Sequence, residues 1–225
     1  MDPCEVASKI LRRLDDLPYK KTQPMRRIRR ALSRDFRSKP PEFVLSVAME
    51  LLRQGRYRWI AYELIAAHPQ AFRSLDAELL EDLGHGIDSW WTTDSFARTL
   101  SGPAWREGLI GISTIKKWAR SSDRWWRRAA LVSTVALNVR SKGGKGDVPR
   151  TIMICEMLAD DSDEMVVKAL SWALRELVAH DKDVVGQFLA KHDEVLASRV
   201  KREVNNKIAT GLKNPKKHHA DTKRE

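Results

Sequence analysis

Apolar residues recur along most of the chain at the three- and four-residue spacing of amphipathic helices. The segment PPEFVLSVAMELLRQG, residues 40–55, shows this pattern with both of its ends marked. It opens on two prolines, carries Val44, Val47 and Leu51 on one face, and stops at Gly55. Proline at the first helical position and glycine just beyond the last are the usual boundary residues of a helix. The segment is therefore predicted to form one α-helix.

The same reasoning predicts helices along the rest of the chain. Ser122 or Asp123 can cap one helix, acids at 161–163 favour the start of another against the helix dipole, and Gly211 ends the last. The predicted helical segments are residues 11–14, 25–36, 40–55, 57–70, 121–138, 161–180 and 192–211. No sustained two-residue alternation and no Asn-Gly or Asp-Gly hairpin signal indicates a strand. We therefore expect an all-α fold with helices of about 12–18 residues.

Helices of this length joined by short turns are typical of antiparallel helix pairs. Stacked pairs of the HEAT-like kind form a curved solenoid with a concave binding face, and this architecture is the prediction for this chain. A single domain is expected over residues 1–212, followed by a basic tail, expected to be disordered, over residues 213–225. The glycine-rich segment SKGGKGD, residues 141–147, lacks the spacing of a phosphate-binding loop and follows no strand. It is interpreted as a flexible linker between helices.

The charges are unevenly placed, and this directs attention to the partner of the protein. The chain has 41 Lys and Arg against 30 Asp and Glu, a net charge of +11. Bases outnumber acids 11 to 3 in residues 11–40, 10 to 2 in residues 116–150 and 9 to 3 in residues 199–225. If the chain coils so that these blocks share one face, that face attracts phosphates. A solvated helix surface with a basic tail is the alternative.

Several classes of protein find no support in the sequence. No apolar run approaches the roughly 20 residues that span a bilayer, and the start MDPCEVASKI has no secretory signal. Cys4 and Cys155 are far apart in sequence, which favours reduced intracellular thiols. We expect a cytoplasmic, nucleoid-associated protein. Neither CxxC nor HExxH nor GxSxG occurs, so we expect no metal, no cofactor and no serine nucleophile.

The segment GIDSWWTTDSFART, residues 86–99, places tryptophans next to an acid. On a helix Trp90 and Asp94 are four residues apart and share a face. Trp91 is turned about 100° away and is the better candidate for the core. In the alternative interpretation Trp90 is a core residue and Asp94 faces solvent or caps the helix.

The segment KALSWALREL, residues 168–177, carries a tryptophan on what should be the polar face of its helix. Trp172 lies nearly opposite the apolar stripe, and Arg175 shares its face. An aromatic ring and a guanidinium in this position favour stacking or phosphate binding. Packing of the helix on both of its sides is the alternative.

A third segment, SDRWWRRAAL, alternates tryptophan with arginine. Trp125 and Trp126 sit among Arg124, Arg127 and Arg128. Nucleic-acid grooves combine positive charge for the backbone with flat apolar surface for sugars and bases. We therefore consider Trp126 and the three arginines as candidate DNA-binding residues. The alternative is that both tryptophans anchor the helix while the arginines are solvated.

Four segments, taken in order, resemble the AlkD-type DNA glycosylases, an all-helical family of HEAT-like repeats. They are SWWTTDSFA (89–97), DRWWRRAAL (123–131), VVKALSWALREL (166–177) and SRVKREVNNKI (198–208). The resemblance implies an enzyme that excises cationic N3- and N7-alkylated purines from duplex DNA without flipping the base into a pocket.

The resemblance also implies roles for individual residues. The family's active site consists of two tryptophans and an aspartate, and these match Trp90, Trp172 and Asp94. An arginine that contacts the DNA backbone near the lesion matches Arg128, and Arg175 is a weaker match.

The sequence departs from the better-known members in two places. Those members have an additional residue between the paired tryptophans and the aspartate, so Trp91 is the rival of Trp90 for the active site and is otherwise a candidate DNA-binding residue. The N-terminal helices also look short.

The predicted function is excision of the alkylated base, with a carboxylate that stabilises an oxocarbenium-like transition state. The protein is expected to be a monomer, and its partner is expected to be alkylated duplex DNA and not a membrane. The alternative is a non-catalytic helical-repeat scaffold that binds DNA or protein.

Overall fold

The computed structural model describes residues 2–18 and 22–215, and over these ranges the fold is all-helical. Most of the predicted tail, residues 216–225, therefore lies outside the described residues. Besides α-helices, these residues form a π-helical segment, Ala97–Ser101, and a 3₁₀ turn, Arg140–Lys142. The α-helices are α1 (Pro3–Asp15), α2 (Thr22–Asp35), α3 (Pro41–Arg53), α4 (Arg58–Ala67), α5 (Pro69–Arg73), α6 (Ala77–Gly84), α7 (Trp90–Phe96), α8 (Gly102–Arg106), α9 (Ile112–Ala119), α10 (Arg124–Asn138), α11 (Val148–Met157), α12 (Glu164–Leu177), α13 (Lys182–Lys191) and α14 (Ser198–Thr210).

The longer helices begin and end at the residues that the sequence marks. Asp123 caps α10 and Asp163 caps α12, each by accepting a hydrogen bond from a backbone N–H in the first turn. Gly211 ends α14 in the left-handed conformation, with φ of 74°. The all-α prediction is confirmed, whereas the pairing of helices into HEAT-like repeats and the single-domain boundaries stay predictions.

The middle of the chain is divided into shorter helices than predicted. Helices α5 to α9 contain five to eight residues each, so the expected length of about 12–18 residues is wrong there. The cause is the close spacing of N-caps, since His68, Asp76 and Ser89 each accept a hydrogen bond from the backbone and start a new helix. The predicted helix at 192–211 also begins later, at Ser198, because residues 192–195 form a turn.

Helix α10 lies at the centre of the core. It packs against α7, the π-helical segment, α8, α9, α11 and α12, and every residue from Arg128 to Asn138 is buried. Asp94 lies on α7 and Trp172 lies on α12. The core therefore packs the tryptophan-containing segments of α7 and α12 against α10, which contains most of the third segment, SDRWWRRAAL.

The π-helical segment and α8 approach α10 very closely. A Cβ atom built on Gly102 would lie 2.5 Å from the Cβ of Ala136 and 2.8 Å from the carbonyl oxygen of Ser133. The hydroxyls of Ser101 and Ser133 are hydrogen-bonded at 2.8 Å within the same contact. These contacts fix the position of α7 and its continuation relative to α10.

The glycine-rich segment 141–147 joins α10 to α11, as predicted, but it is held by hydrogen bonds. The backbone N–H of Gly144 donates to Val139 and that of Gly146 donates to Leu137. The N–H of Asp147 donates to the side chain of Asn138 at 2.9 Å. The interpretation of this segment as a flexible linker is therefore corrected, because hydrogen bonds to the end of α10 hold it in place.

Candidate functional site

One groove, with a volume of about 1070 Å³, contains the residues of the predicted active site. Its lining includes Trp90, Trp91 and Asp94 from α7 together with Trp172 from α12. Arg98, one turn beyond Asp94 in the π-helical segment, also lines it. Residues from two distant parts of the sequence, 90–98 and 172, thus face a common space.

The carboxylate of Asp94 is paired with Arg128. Nε of Arg128 donates to Oδ1 of Asp94 and Nη2 donates to Oδ2, both at 2.8 Å. Nη1 donates to the backbone oxygen of Met165 at 2.5 Å. The side chain is buried, because only 5% of Arg128 is exposed. All three guanidinium nitrogens of Arg128 thus donate to protein atoms and the residue holds the aspartate, whereas its contact with the DNA backbone stays a prediction.

Opposing effects act on the ionisation of Asp94. Burial raises the pKa of the carboxyl above its ordinary value, because the charged form loses hydration. The hydrogen bond and charge of Arg128, together with the charge of Arg98, act to lower that pKa. Burial is the stronger effect, so Asp94 is a carboxyl with a raised pKa inside a groove, a property that is common at functional sites.

Trp90 and Trp91 are both exposed, at 53% and 57% of their surface. Their rings are in edge-to-face contact, with centroids 6.0 Å apart. The expectation that Trp91 is a core residue is wrong, because α7 is only seven residues long and buries Thr93 and Phe96 instead. Both indoles line the groove, so the structure leaves both as candidates for the active-site tryptophan that precedes Asp94.

Trp172 lines the same groove from α12 and is half-buried. Its Nε1 donates to Oε1 of Glu176 at 2.9 Å, which fixes the orientation of the ring. The guanidinium carbon of Arg98 lies 5.3 Å from the ring centroid, within cation–π range. One ring face is therefore covered by a cation that reaches across from the segment after Asp94.

The second tryptophan of SDRWWRRAAL does not line the groove. Trp126 packs against Phe96, with ring centroids 5.9 Å apart, and against Trp118 at 4.9 Å. It also fills the space next to Gly84, where any Cβ would collide with its ring. In this position Trp126 supports the helix that carries Asp94, and its contact with DNA stays a prediction.

The other arginines proposed to bind DNA are bonded within the protein. Arg127 pairs with Asp161 at 2.6 Å, and Arg124 pairs with Asp163 at 3.4 Å. Arg175 makes a longer hydrogen bond, in which its Nε donates to the hydroxyl of Ser171 at 3.2 Å. None of the three lines the groove, so their contact with DNA also remains a prediction.

Sequence reasoning missed a set of cations that line the groove. Arg98 could have been found, because it is four residues beyond Asp94 and must share its helix face. The others depend on how distant helices pack and carry no local signal. They are Arg26, Arg29, Arg58, Arg106 and Lys142.

Two absences hold for the described part of the chain. Among residues 2–18 and 22–215, no group of three or more His, Cys, Asp or Glu side chains is arranged to hold a metal ion. No helix in these ranges is long and apolar enough to cross a bilayer.

A comparison with known proteins identifies the family of the chain. The family described as "DNA alkylation repair enzyme" matches residues 21–208, which is most of the sequence and includes every residue of the groove that has been discussed. A search of curated proteins gave no match. The extent of the family match shows that the chain belongs to the DNA alkylation repair enzyme family.

Proposed function

We propose that the protein is a DNA glycosylase that releases cationic N3- and N7-alkylated purines from duplex DNA by hydrolysis of the N-glycosidic bond. The observation that carries this proposal is the presence of Asp94, Trp90 and Trp172 in one groove. The protein is expected to act as a monomer in the cytoplasm, with alkylated duplex DNA as its partner and without a cofactor.

The carboxylate of Asp94 stabilises the charge that develops on the sugar. Alkylation at N3 or N7 makes the purine cationic and therefore a good leaving group. Cleavage of its bond to C1′ leaves oxocarbenium-like positive charge on the deoxyribose. A fixed negative group near this carbon lowers the barrier, and it acts more strongly where water is excluded. Asp94 also accepts a proton or hydrogen bond from the attacking water.

The indoles provide the walls of the site. The faces of tryptophan rings carry negative quadrupole potential and favour a nearby cation. Trp172 is held by Glu176, and Trp90 is on the same helix face as Asp94. A deoxyribose bound in the groove would contact the apolar surface of these indoles and the carboxylate of Asp94. Specificity then comes from the charge and lability of the lesion, and the base need not leave the duplex.

Arg128 serves as a positioning residue. The Nε and Nη2 atoms of its guanidinium donate to both oxygens of Asp94 and fix the plane of the carboxylate. Each carboxylate oxygen has more than one acceptor site, so the pair leaves lone pairs for the sugar and the water. The guanidinium also favours the ionised form of Asp94 against the effect of burial.

Asp94→Asn tests the proposal. The amide keeps the shape of the side chain but removes the charge, so we expect release of 7-methylguanine from methylated duplex DNA to fall about 10²–10³-fold. Asp82→Asn is the matched control, since Asp82 is an exposed acid of α6 that does not line the groove. Excision by Asp94→Asn at the rate of the parent protein would remove Asp94 from the mechanism.

The pairing of Asp94 with Arg128 also supports a second candidate function. Both oxygens of Asp94 are already bonded to Arg128, an arrangement that also suits a helical scaffold that binds DNA without catalysis. Such a scaffold would bind duplex DNA with a steep dependence on salt and would release no base from methylated duplex. Measuring binding and base release on the same preparation distinguishes the two functions.

A further inference from the structure

Arg98 lies between the carboxylate and the second tryptophan of the groove. It follows Asp94 by one helical turn, and its guanidinium carbon is 5.3 Å from the ring centroid of Trp172. The side chain is exposed and lines the groove. Its position brings a positive charge to the place where the sugar of the lesion would lie.

Arg98 differs in its bonding from three other guanidinium groups that line the groove. Arg29 pairs with Glu63 at 2.7 Å, while Arg58 and Arg106 each donate to backbone carbonyl oxygens. Within residues 2–18 and 22–215, the stacking contact is the only short-range interaction that the Arg98 guanidinium makes. A guanidinium that is stacked by its face keeps its in-plane N–H groups free, and these fit a phosphate bidentately.

The groove favours an anion, because six of the side chains that line it are Arg or Lys and two are Asp or Glu. With Asp94 ionised, Arg128 matches its charge, and Arg98 leaves the three side chains with a net charge of +1. A cationic sugar forming beside this cluster would be disfavoured unless another negative group offset Arg98. The anions nearest to a deoxyribose in duplex DNA are the phosphates on either side of it.

We propose that Arg98 binds a backbone phosphate adjacent to the lesion while stacked on Trp172, so that the phosphate seats the deoxyribose against Asp94. This role rests on the proposed function, because the ligand is the lesion strand of duplex DNA. The bound phosphate offsets the charge of Arg98 and leaves the field of the Asp94 carboxylate directed at the sugar. Arg98 is a phosphate-binding residue that acts on the reaction through the position of the substrate.

Binding measurements test the phosphate contact without any catalysis. The probe is a duplex that carries a tetrahydrofuran abasic-site analogue, and its dissociation constant is measured over a range of salt concentrations. Loss of one phosphate contact in Arg98→Ala should reduce the slope of log K against log salt by about 0.9. Arg98→Lys keeps the charge and should retain the slope. Arg73→Ala is the control, because Arg73 is exposed on α5 and does not line the groove.

Excision measurements locate the phosphate. A neutral methylphosphonate replaces the phosphate on one side or the other of a 7-methylguanine nucleotide. One of the two replacements should slow base release by the parent protein about tenfold, and the same replacement should cause no further loss in Arg98→Ala. Arg98→Lys should lie between them, because a lysine cannot stack and bind bidentately.

The outcomes separate this inference from the proposed function. An unchanged salt slope in Arg98→Ala, or an equal methylphosphonate effect in the parent and in Arg98→Ala, overturns the phosphate contact. A parent protein that binds the duplex but releases no base overturns the glycosylase proposal, while the salt slope still decides the role of Arg98. An unfolded variant is identified by circular dichroism, and Arg98→Lys then supplies the comparison through its methylphosphonate effect.

Discussion

The carboxyl of Asp94 is subject to two opposing influences from its surroundings. Burial in the groove raises its pKa, whereas the bidentate Arg128 acts to lower it. The folded carboxyl therefore releases its proton at a higher pH than the ordinary Asp value of about 3.9. Because folding raises this pKa, the protonated carboxyl favours the folded state. This contribution to the free energy of unfolding is fully present below the unfolded pKa and is lost as the pH rises through the folded pKa.

Base release should follow the ionisation of Asp94 and fall as the pH drops through its raised pKa. Arg128→Gln removes the influence that opposes burial, so the acid limb of the pH–rate profile should move to higher pH. Removing one member of a buried pair also costs stability, about 3 kcal/mol. Single-turnover release of 7-methylguanine between pH 4 and 8 measures the limb, in conditions chosen from urea unfolding of the variant. An acid limb that stayed in place, or moved to lower pH, would contradict this account of the pair.

The sequence predicts one half of this site and misses the other. The relation of Trp90 to Asp94 follows from helical spacing, because four residues make about one turn. The pairing of Asp94 with Arg128 could not be predicted in the same way. The two residues are 34 positions apart, and their contact depends on the packing of α7 against α10. Exposure of Trp91 was also unpredictable, since it depends on how short α7 is.

At the scale of elements, the contact of α8 with α10 determines where α7 lies. Gly102→Ala would place a methyl group 2.5 Å from the Cβ of Ala136 and 2.8 Å from a backbone oxygen. Because neither neighbour is a flexible side chain, the helices must separate, and we expect a loss of about 1–3 kcal/mol in the free energy of unfolding. Urea denaturation measures this loss.

Gly186→Ala is the matched control for that substitution. Gly186 lies inside α13, and a Cβ added there would have no neighbouring atom within 4 Å. Alanine has a higher helix propensity than glycine, so this variant should gain up to about 1 kcal/mol. Equal stability of the two alanine variants would show that the close approach of α8 to α10 does not limit packing.

A buried carboxylate joins α12, the helix of Trp172, to α14. Glu203 is 3% exposed and accepts a hydrogen bond from Ser171 at 2.7 Å, with Arg175, Arg199 and Lys213 within 4 Å. Burial acts to raise the pKa of Glu203, but the hydrogen bond and the cations lower it overall. Its stabilising effect is therefore present above the unfolded pKa and is lost as the pH falls through the folded pKa.

Glu203→Gln should destabilise the protein by about 1.5–3 kcal/mol at neutral pH, because a charged hydrogen-bond acceptor is removed from a cationic surrounding. The difference from the parent protein should shrink at acid pH, where Glu203 becomes protonated. Urea unfolding at several pH values between 3 and 7 measures this. A difference that is independent of pH would assign the effect to packing instead of charge.

The element scale also shows which parts of the fold are predictable. Helices with a capping acid and a long apolar stripe, such as α10 and α12, are predicted close to their observed bounds. The short helices α5 to α9 are not, because few turns carry too little periodicity to be recognised. Tertiary contacts stabilise several of them instead: α7, α8 and α9 pack against α10, and α5 packs against α3 and α4.

Across the whole molecule, the groove collects cations from parts of the sequence that differ in charge. Arg26 and Arg29 come from the basic block 11–40, and Lys142 comes from the block 116–150. Arg98 comes from residues 41–115 between them, where 10 Asp and Glu outnumber 6 Lys and Arg. In the third block, no residue from 199 to 215 lines the groove, so convergence of all three blocks on this surface is not observed in the described chain.

The remaining basic residues at the end of the third block should therefore affect association more than catalysis. Residues 216–225 contain Lys216, Lys217, Lys223 and Arg224 against Asp221 and Glu225, so deletion after Pro215 removes a net charge of +2. We expect weaker binding of undamaged duplex at low salt, because nonspecific affinity follows phosphate neutralisation. The single-turnover rate of 7-methylguanine release at saturating protein should remain within about twofold of the parent rate, since Asp94 and the indoles are unaffected. A full-length variant with these four cations replaced by glutamine is the control for chain length. If the deletion slowed excision at saturation while the glutamine variant did not, the last ten residues would contribute to the site through contacts instead of charge.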